Sequence, residues 1–233
     1  MTKYGTKAAL LAGCAIIGVL GQAAPAGAQD DAASRDLLIG LDVSRSNVIV
    51  EDDRMAAKAA DTAAEMIRSL ENGDRLSIRT FGAYSMSGNP LRLDLTVSRR
   101  MPARRIAASV ERLIARLPDL VADGRLAAGG TTHITAFLEE EAALLSCGSR
   151  DTALVLFTDG IEASPQTSPE ALARGHAGLP APDSDDLRGC ALSLYGIGET
   201  TGGAQRSRTE NLIAAWTAWT KQAGLSFNAL PKY

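Results

Sequence analysis

Two apolar runs of strand length each end in an aspartate, and hydroxyl side chains stand close by. The run LLIGLDVSRS contains Asp42, and Ser44 and Ser46 follow it at alternate positions. The run ALVLFTDG contains Asp159, and a Gly-Gly-Thr-Thr turn between the two runs supplies Thr131. Carboxylate and hydroxyl oxygens are hard ligands, which suit Mg²⁺, or Mn²⁺ as a substitute, and do not suit Zn²⁺.

These side chains meet only if the chain folds into alternating strands and helices. The runs around 36–43 and 151–160 have strand length, and 52–74 is Ala-rich with apolar residues at helical spacing. Such alternation predicts an α/β fold, a doubly wound and mainly parallel sheet flanked by helices. Ligands bind outside the carboxyl ends of such strands, where the strand order reverses. If the two apolar strands are neighbours, their aspartates face each other there.

The remaining segments fit the same architecture. Alternating patterns at 75–82 and 91–98 around a Ser-Gly-Asn-Pro turn predict a hairpin, and hence one antiparallel edge strand. A helical stretch over 101–124 contains Pro118, which kinks or ends it. Residues 161–189 are rich in Pro, Ser, Gly and Asp, which predicts an inserted surface loop.

The first 28 residues have the order of a secretory signal peptide. Two lysines precede a short apolar stretch, and Ala-Gly-Ala at 26–28 fits a cleavage site. The stretch is short for a membrane span, so we expect an exported chain without a transmembrane span after signal removal. The style of the signal indicates a bacterial periplasm or cell envelope, or secretion. The alternative is a lipid anchor at Cys14, where LAGC resembles a lipobox.

Composition argues against nucleic acid as a partner. The net charge of −3 provides no basic field for phosphates, and 4% aromatic residues provide no stacking platform. After signal removal two cysteines remain: Cys147 lies four residues before the strand predicted at 151–160, and Cys190 opens the strand predicted at 190–198. In an exported chain we expect them to form a disulfide opposite the metal site, with two buried free thiols as the alternative.

The motifs D-x-S-x-S, G-G-T and T-D-G, in this order, resemble von Willebrand factor type A domains, and the resemblance covers about residues 36–230. It implies a metal-ion-dependent adhesion site formed by Asp42, Ser44, Ser46, Thr131 and Asp159. By the family pattern the hydroxyls ligate directly and the aspartates largely through water. Thr132 is the alternative threonine ligand. Arg45 and Asn47 depart from the residues common in the family, and neither departure removes a ligand.

The resemblance implies a non-enzymatic binding or adaptor module that docks an acidic side chain of a protein partner on a Mg²⁺-type ion. The alternative function is a Mg²⁺-dependent α/β hydrolase or phosphatase-like enzyme that uses the same aspartates. A haloacid-dehalogenase-like phosphatase would need an aspartate where Ser44 stands. The sequence also lacks a G-x-S-x-G nucleophile motif and a P-loop after the first strand. We therefore expect a binding module and no enzyme.

Overall fold

Six strands form one sheet in the computed structural model, which describes residues 34–82, 91–145 and 147–233. Their order across the sheet is β3-β2-β1-β4-β5-β6. The strands are β1 Asp36–Asp42, β2 Arg75–Phe81, β3 Arg92–Thr96, β4 Thr152–Phe157, β5 Ala191–Tyr195 and β6 Ser226–Leu230. All neighbours are parallel except β2 and β3. The predicted doubly wound sheet with one antiparallel edge strand is confirmed.

The strand order reverses between β1 and β4, which lie side by side at the centre of the sheet. The chain moves outward from β1 to β2 and β3, and then returns to add β4, β5 and β6 on the other side. The ladder between the two central strands ends with the pair Leu41 and Phe157. Asp42 and Asp159 follow these positions, so both lie at the switch point of the sheet.

Helices cover both faces of the sheet, which explains why the central strands are continuously apolar. The helices are α1 Asp53–Arg68, α2 Ala103–Ala115, α3 Leu117–Ala122, α4 Ile134–Ala142, α5 Pro169–Ala173 and α6 Arg206–Ala223. Helices α1 and α2 pack with Ile39 and Leu41 on one face. Helices α4 and α6 pack with Leu38 and Leu156 on the other.

Two local features follow from particular residues. Helix α1 begins where the Asp52 carboxylate accepts hydrogen bonds from the amides of Arg54 and Met55, which satisfies donors of the first turn. The predicted helical stretch over 101–124 is divided at Arg116, and Pro118 lies in the first turn of α3. Proline fits there because the first amides of a helix have no partner within it.

The segment 161–189 is held to the domain body at several points. It contains α5, and both Leu172 and Leu187 are fully buried. The indole of Trp219 donates a hydrogen bond to the carbonyl oxygen of Pro180 at 2.8 Å. The segment therefore contributes to the core beneath α6 as well as to the surface.

Cys147 and Cys190 form a disulfide with their Cα atoms 4.9 Å apart, as the sequence predicts. The bond joins the segments just before β4 and β5, at the amino-terminal ends of these strands, opposite the two aspartates. Among the described residues no helix has the length and apolarity that a bilayer crossing requires. The predicted signal peptide, with Cys14, lies outside the described residues and stays a prediction.

Candidate metal site

Asp42 is the last residue of β1 and is fully buried. One carboxylate oxygen accepts a hydrogen bond from the amide of Ser44 at 2.8 Å, which forms a tight turn directly after the strand. The other accepts a hydrogen bond from the hydroxyl of Thr158 at 2.6 Å. The carboxylate is therefore fixed by its own loop and by the loop after the neighbouring strand.

The two serines of the D-x-S-x-S motif lie together, as their alternate spacing predicts. The hydroxyl oxygens of Ser44 and Ser46 are 3.2 Å apart. Ser44 is buried beside Asp42, whereas Ser46 is partly exposed. The pair therefore leads from the buried carboxylate toward the surface.

Asp159 lies in the loop after β4 and is fully buried. Its Oδ1 accepts a hydrogen bond from the amide of Ile161 at 2.9 Å. Its Oδ2 is buried and has no hydrogen-bond partner within the described part of the chain. A buried carboxylate oxygen without such a partner is costly, and a bound cation would satisfy it.

The two aspartates have strongly raised pKa values. Burial raises the pKa of Asp42 to about 6, although hydrogen bonds from Thr158 and Ser44 oppose the rise. Burial, and then the negative charge of Asp42, raise the pKa of Asp159 to about 7. The amide of Ile161 and the positive charge of Arg208 oppose the rise for Asp159 without cancelling it.

This donor set fits a divalent cation that prefers oxygen. The described residues contain no group of three or more His, Cys, Asp or Glu side chains placed to hold a metal ion. A metal at the switch point would therefore depend on hydroxyls beside the two carboxylates. An oxygen-only set of this kind matches Mg²⁺ or Mn²⁺ and does not match Zn²⁺.

The glycine-rich turn that contains Thr131 lies against the D-x-S-x-S loop. The amide of Gly129 donates to the carbonyl oxygen of Val43, and the amide of Arg45 donates to that of Gly129, both at 3.0 Å. These bonds form a short parallel bridge between Ser44 and Gly129. Thr131 follows two residues later and is exposed.

Thr132, the alternative ligand, has different surroundings. It is buried, and its backbone pairs with Ala163 through hydrogen bonds of 3.2 and 2.8 Å. The next residues begin α4, where the buried carboxylate of Glu162 accepts hydrogen bonds from the amides of Ile134 and Thr135 at 2.8 and 3.1 Å. The loop after β4 therefore holds the threonine turn at two points.

A third loop, after β5, completes the surroundings of the site. The amide of Thr201 donates to the carbonyl oxygen of Ser46 at 3.0 Å, and Asn47 and Thr200 form an antiparallel bridge. Arg208 of α6 holds this loop by donating to the carbonyl oxygen of Gly198 at 3.1 Å. The D-x-S-x-S loop is thus enclosed on two sides by backbone contacts.

Sequence reasoning missed Thr158 and the importance of Asn47. The hydroxyl of Thr158 donates to Asp42 and accepts from the amide of Gly160 at 3.0 Å. A polar residue between an apolar strand and an aspartate is a signal that could have identified Thr158. In the sequence Asn47 is only a departure from the family pattern, because its contacts to Phe157 and Tyr233 are long-range.

No family model and no curated protein matches this sequence. Several solved structures are similar. An aerotolerance-related membrane protein from Bacteroides fragilis has 15% identity, covers 84% of this chain and 92% of its own, and has a TM-score of 0.46. The conserved hypothetical protein BatB from Bacteroides thetaiotaomicron has 15% identity, 86% and 92% coverage, and a TM-score of 0.46. A von Willebrand factor type A protein from Catenulispora acidiphila has 18% identity, 85% and 39% coverage, and a TM-score of 0.47.

Proposed function

We propose that this chain is a von Willebrand factor type A-like domain that binds a protein partner through a divalent cation. The cation, Mg²⁺ or Mn²⁺, would be held by Asp42, Ser44, Ser46, Thr131 and Asp159. The observation that carries the proposal is the pair of buried aspartates at the switch point, one with an oxygen that has no hydrogen-bond partner among the described residues.

The charge of the site supports a cation. Two buried carboxylates near each other disfavour ionisation, and a divalent cation between them would remove that penalty. Thr158 and the amide of Ser44 orient the Asp42 carboxylate in advance, which lowers the ordering cost of binding. When bound by neutral hydroxyls and two carboxylates, Mg²⁺ would supply an open coordination position for an oxygen from outside.

The rim of the site favours an acidic partner. Arg45, Thr131 and Thr201 are exposed around the partly exposed Ser46. A guanidinium nitrogen of Arg45 lies 3.6 Å from the position that a Cβ of Gly130 would take, so the arginine lies over the threonine turn. The positive charge of Arg45 next to a cation attracts a carboxylate and repels an ammonium or guanidinium group.

The same geometry argues for a binding module over the alternative, a hydrolase or phosphatase-like enzyme. Asp42 is fully buried and both of its carboxylate oxygens accept hydrogen bonds, from the amide of Ser44 and the hydroxyl of Thr158, so it is not placed to attack a substrate as a nucleophilic aspartate would be. Export to the periplasm or envelope is part of the proposal and rests on residues 1–28. The disulfide supports it, because such bonds persist in oxidising compartments.

Titration with Mn²⁺, followed by electron paramagnetic resonance, tests the metal site. We expect the wild type to bind one Mn²⁺ and Thr131→Ala to bind it at least about tenfold more weakly, as loss of a ligand does. Thr132→Ala is the matched control, since it removes the same atoms from the adjacent residue. A folded wild type that binds no Mn²⁺ would contradict the proposal. If only Thr132→Ala loses Mn²⁺ affinity, Thr132 and not Thr131 is the ligand.

Capture from an envelope extract of the producing cells tests the partner. The mature protein is immobilised in Mg²⁺ or in EDTA, beside Thr131→Ala in Mg²⁺, and bound proteins are identified by mass spectrometry. We expect a protein that the wild type retains only in Mg²⁺ and that Thr131→Ala loses. A protein retained equally in all three arms would place recognition elsewhere on the domain.

A further inference from the structure

Asn47 connects the two strands that end in the aspartates. It is fully buried, and its Nδ2 donates to the carbonyl oxygen of Asp42 at 2.9 Å and to that of Phe157 at 3.1 Å. The regular ladder between β1 and β4 stops at the pair Leu41 and Phe157. The side-chain amide of Asn47 therefore connects β1 and β4 by hydrogen bonds beyond the last pair of the ladder.

The other end of the Asn47 amide is bound by Tyr233. The tyrosine hydroxyl donates to Oδ1 of Asn47 at 2.8 Å. The two carbonyl oxygens can only accept hydrogen bonds, so they require the NH₂ group on their side and leave the oxygen for the tyrosine. The amide orientation is thus determined by three partners, of which Phe157 and Tyr233 are distant in the sequence.

Tyr233 fits tightly beside the site. Its ring stacks with Phe157 at 6.2 Å between centroids. It also lies directly over Gly196, where any Cβ would overlap the ring. Burial, and then the charges of Asp159 and Asp42, raise the pKa of Tyr233 well above its usual value. The hydroxyl therefore remains protonated and keeps its role as a donor.

We infer that Asn47 and Tyr233 are positioning residues that set the separation of Asp42 and Asp159 for cation binding. Asn47 holds the backbone of Asp42 itself and the backbone two residues before Asp159. Tyr233 keeps the amide in the orientation that makes both bonds. This inference rests on the proposed function, because it concerns the same cation.

Mn²⁺ binding by the full chain tests the inference. Tyr233→Phe removes one hydroxyl and leaves Oδ1 of Asn47 without its donor. We expect its Mn²⁺ dissociation constant to rise about tenfold, as substitutions behind metal ligands do, and the resonance spectrum of the bound ion to change. Asn47→Leu, which loses both strand contacts, is expected to bind more weakly still.

Tyr195→Phe is the matched control. The ring of Tyr195 also packs against Phe157, at 5.5 Å between centroids, but neither carbonyl of the Asn47 bridge depends on it. We expect its Mn²⁺ affinity to stay within about twofold of the wild type. Urea unfolding in EDTA separates a loss of Mn²⁺ affinity from a loss of stability. If Asn47→Leu does not fold, Tyr233→Phe alone tests the inference.

The outcomes are distinct. Wild-type affinity and spectrum in a folded Tyr233→Phe protein would overturn the inference and leave the proposed function standing. An equal loss in Tyr195→Phe would also overturn it, because packing against Phe157 would then explain the effect. A wild type without Mn²⁺ binding would overturn the proposed function and this inference together.

Discussion

Replacing Asp159 by asparagine is expected to stabilise the metal-free protein at pH 8 while it removes cation binding. In the folded protein, burial and the charge of Asp42 raise the pKa of Asp159 from 3.8 to about 7. The folded state therefore holds a proton on this carboxyl group more tightly than the unfolded state does. As the pH rises from about 4 to 7, this difference lowers the stability of the metal-free protein.

The magnitude follows from the same pKa values. A rise from 3.8 to about 7 corresponds to a penalty of about 4 kcal/mol for the ionised group, at about 1.4 kcal/mol per pKa unit. The new amide has two donors that need partners, which costs about 1–3 kcal/mol. We expect a net gain of about 1–3 kcal/mol at pH 8, or roughly 3–8 °C in Tm for a domain of this size.

Thermal unfolding in EDTA at pH 5 and pH 8 is the assay. At pH 5 the carboxyl group is protonated in the folded state and only about 2 kcal/mol of the penalty is present, so the cost of the new amide cancels it and Asp159→Asn is expected to give no gain there. Asp151→Asn is the control, because Asp151 is an exposed aspartate at the opposite edge of the sheet. Mg²⁺ at 100 times its Kd is expected to stabilise the wild type by about 2.7 kcal/mol and the variant hardly at all.

Two results would refute this reasoning. A loss of stability that is equal at pH 5 and pH 8 would show that Asp159 is not held in an unfavourable ionised state. Stabilisation of Asp159→Asn by Mg²⁺ to the wild-type extent would show that the cation binds elsewhere.

Three further predictions concern other parts of the domain. Replacing Cys147 and Cys190 by serine is expected to lower the free energy of unfolding by about 4 kcal/mol, from the loop that the bond closes, as urea titration would show. Glu141→Ala removes the buried carboxylate that pairs with Arg79, which keeps its ion pair with Asp94, and is expected to cost about 1–3 kcal/mol in the same assay, whereas the exposed Glu140→Ala changes little. Mg²⁺ affinity, measured by calorimetry, is expected to increase from pH 5 to pH 8, because both buried carboxyl groups of the site must lose protons to bind the ion.

The local patterns of the sequence predict most of the fold. Strand and helix periods and the two apolar runs each reflect burial within one short segment, whereas the predicted Ser-Gly-Asn-Pro turn lies outside the described residues. The resulting sheet has the expected antiparallel edge strand. The disulfide lies at the expected place, at the ends of the strands opposite the two aspartates. The site was predictable in part for the same reason, since the carboxyl ends of adjacent parallel strands meet wherever the chain is doubly wound.

The sequence by itself therefore determined the class of the fold and the oxygen-rich character of the site. Only the tertiary structure decided which polar side chains are buried and joined over long distances. Nothing in the run 139–141 marks Glu141 as the buried partner of Arg79, and nothing local links Asn47 to Tyr233, 186 residues away. The physical reason is that a hydrogen bond between distant residues depends on where whole elements pack, whereas periodicity records only which face of one element is covered.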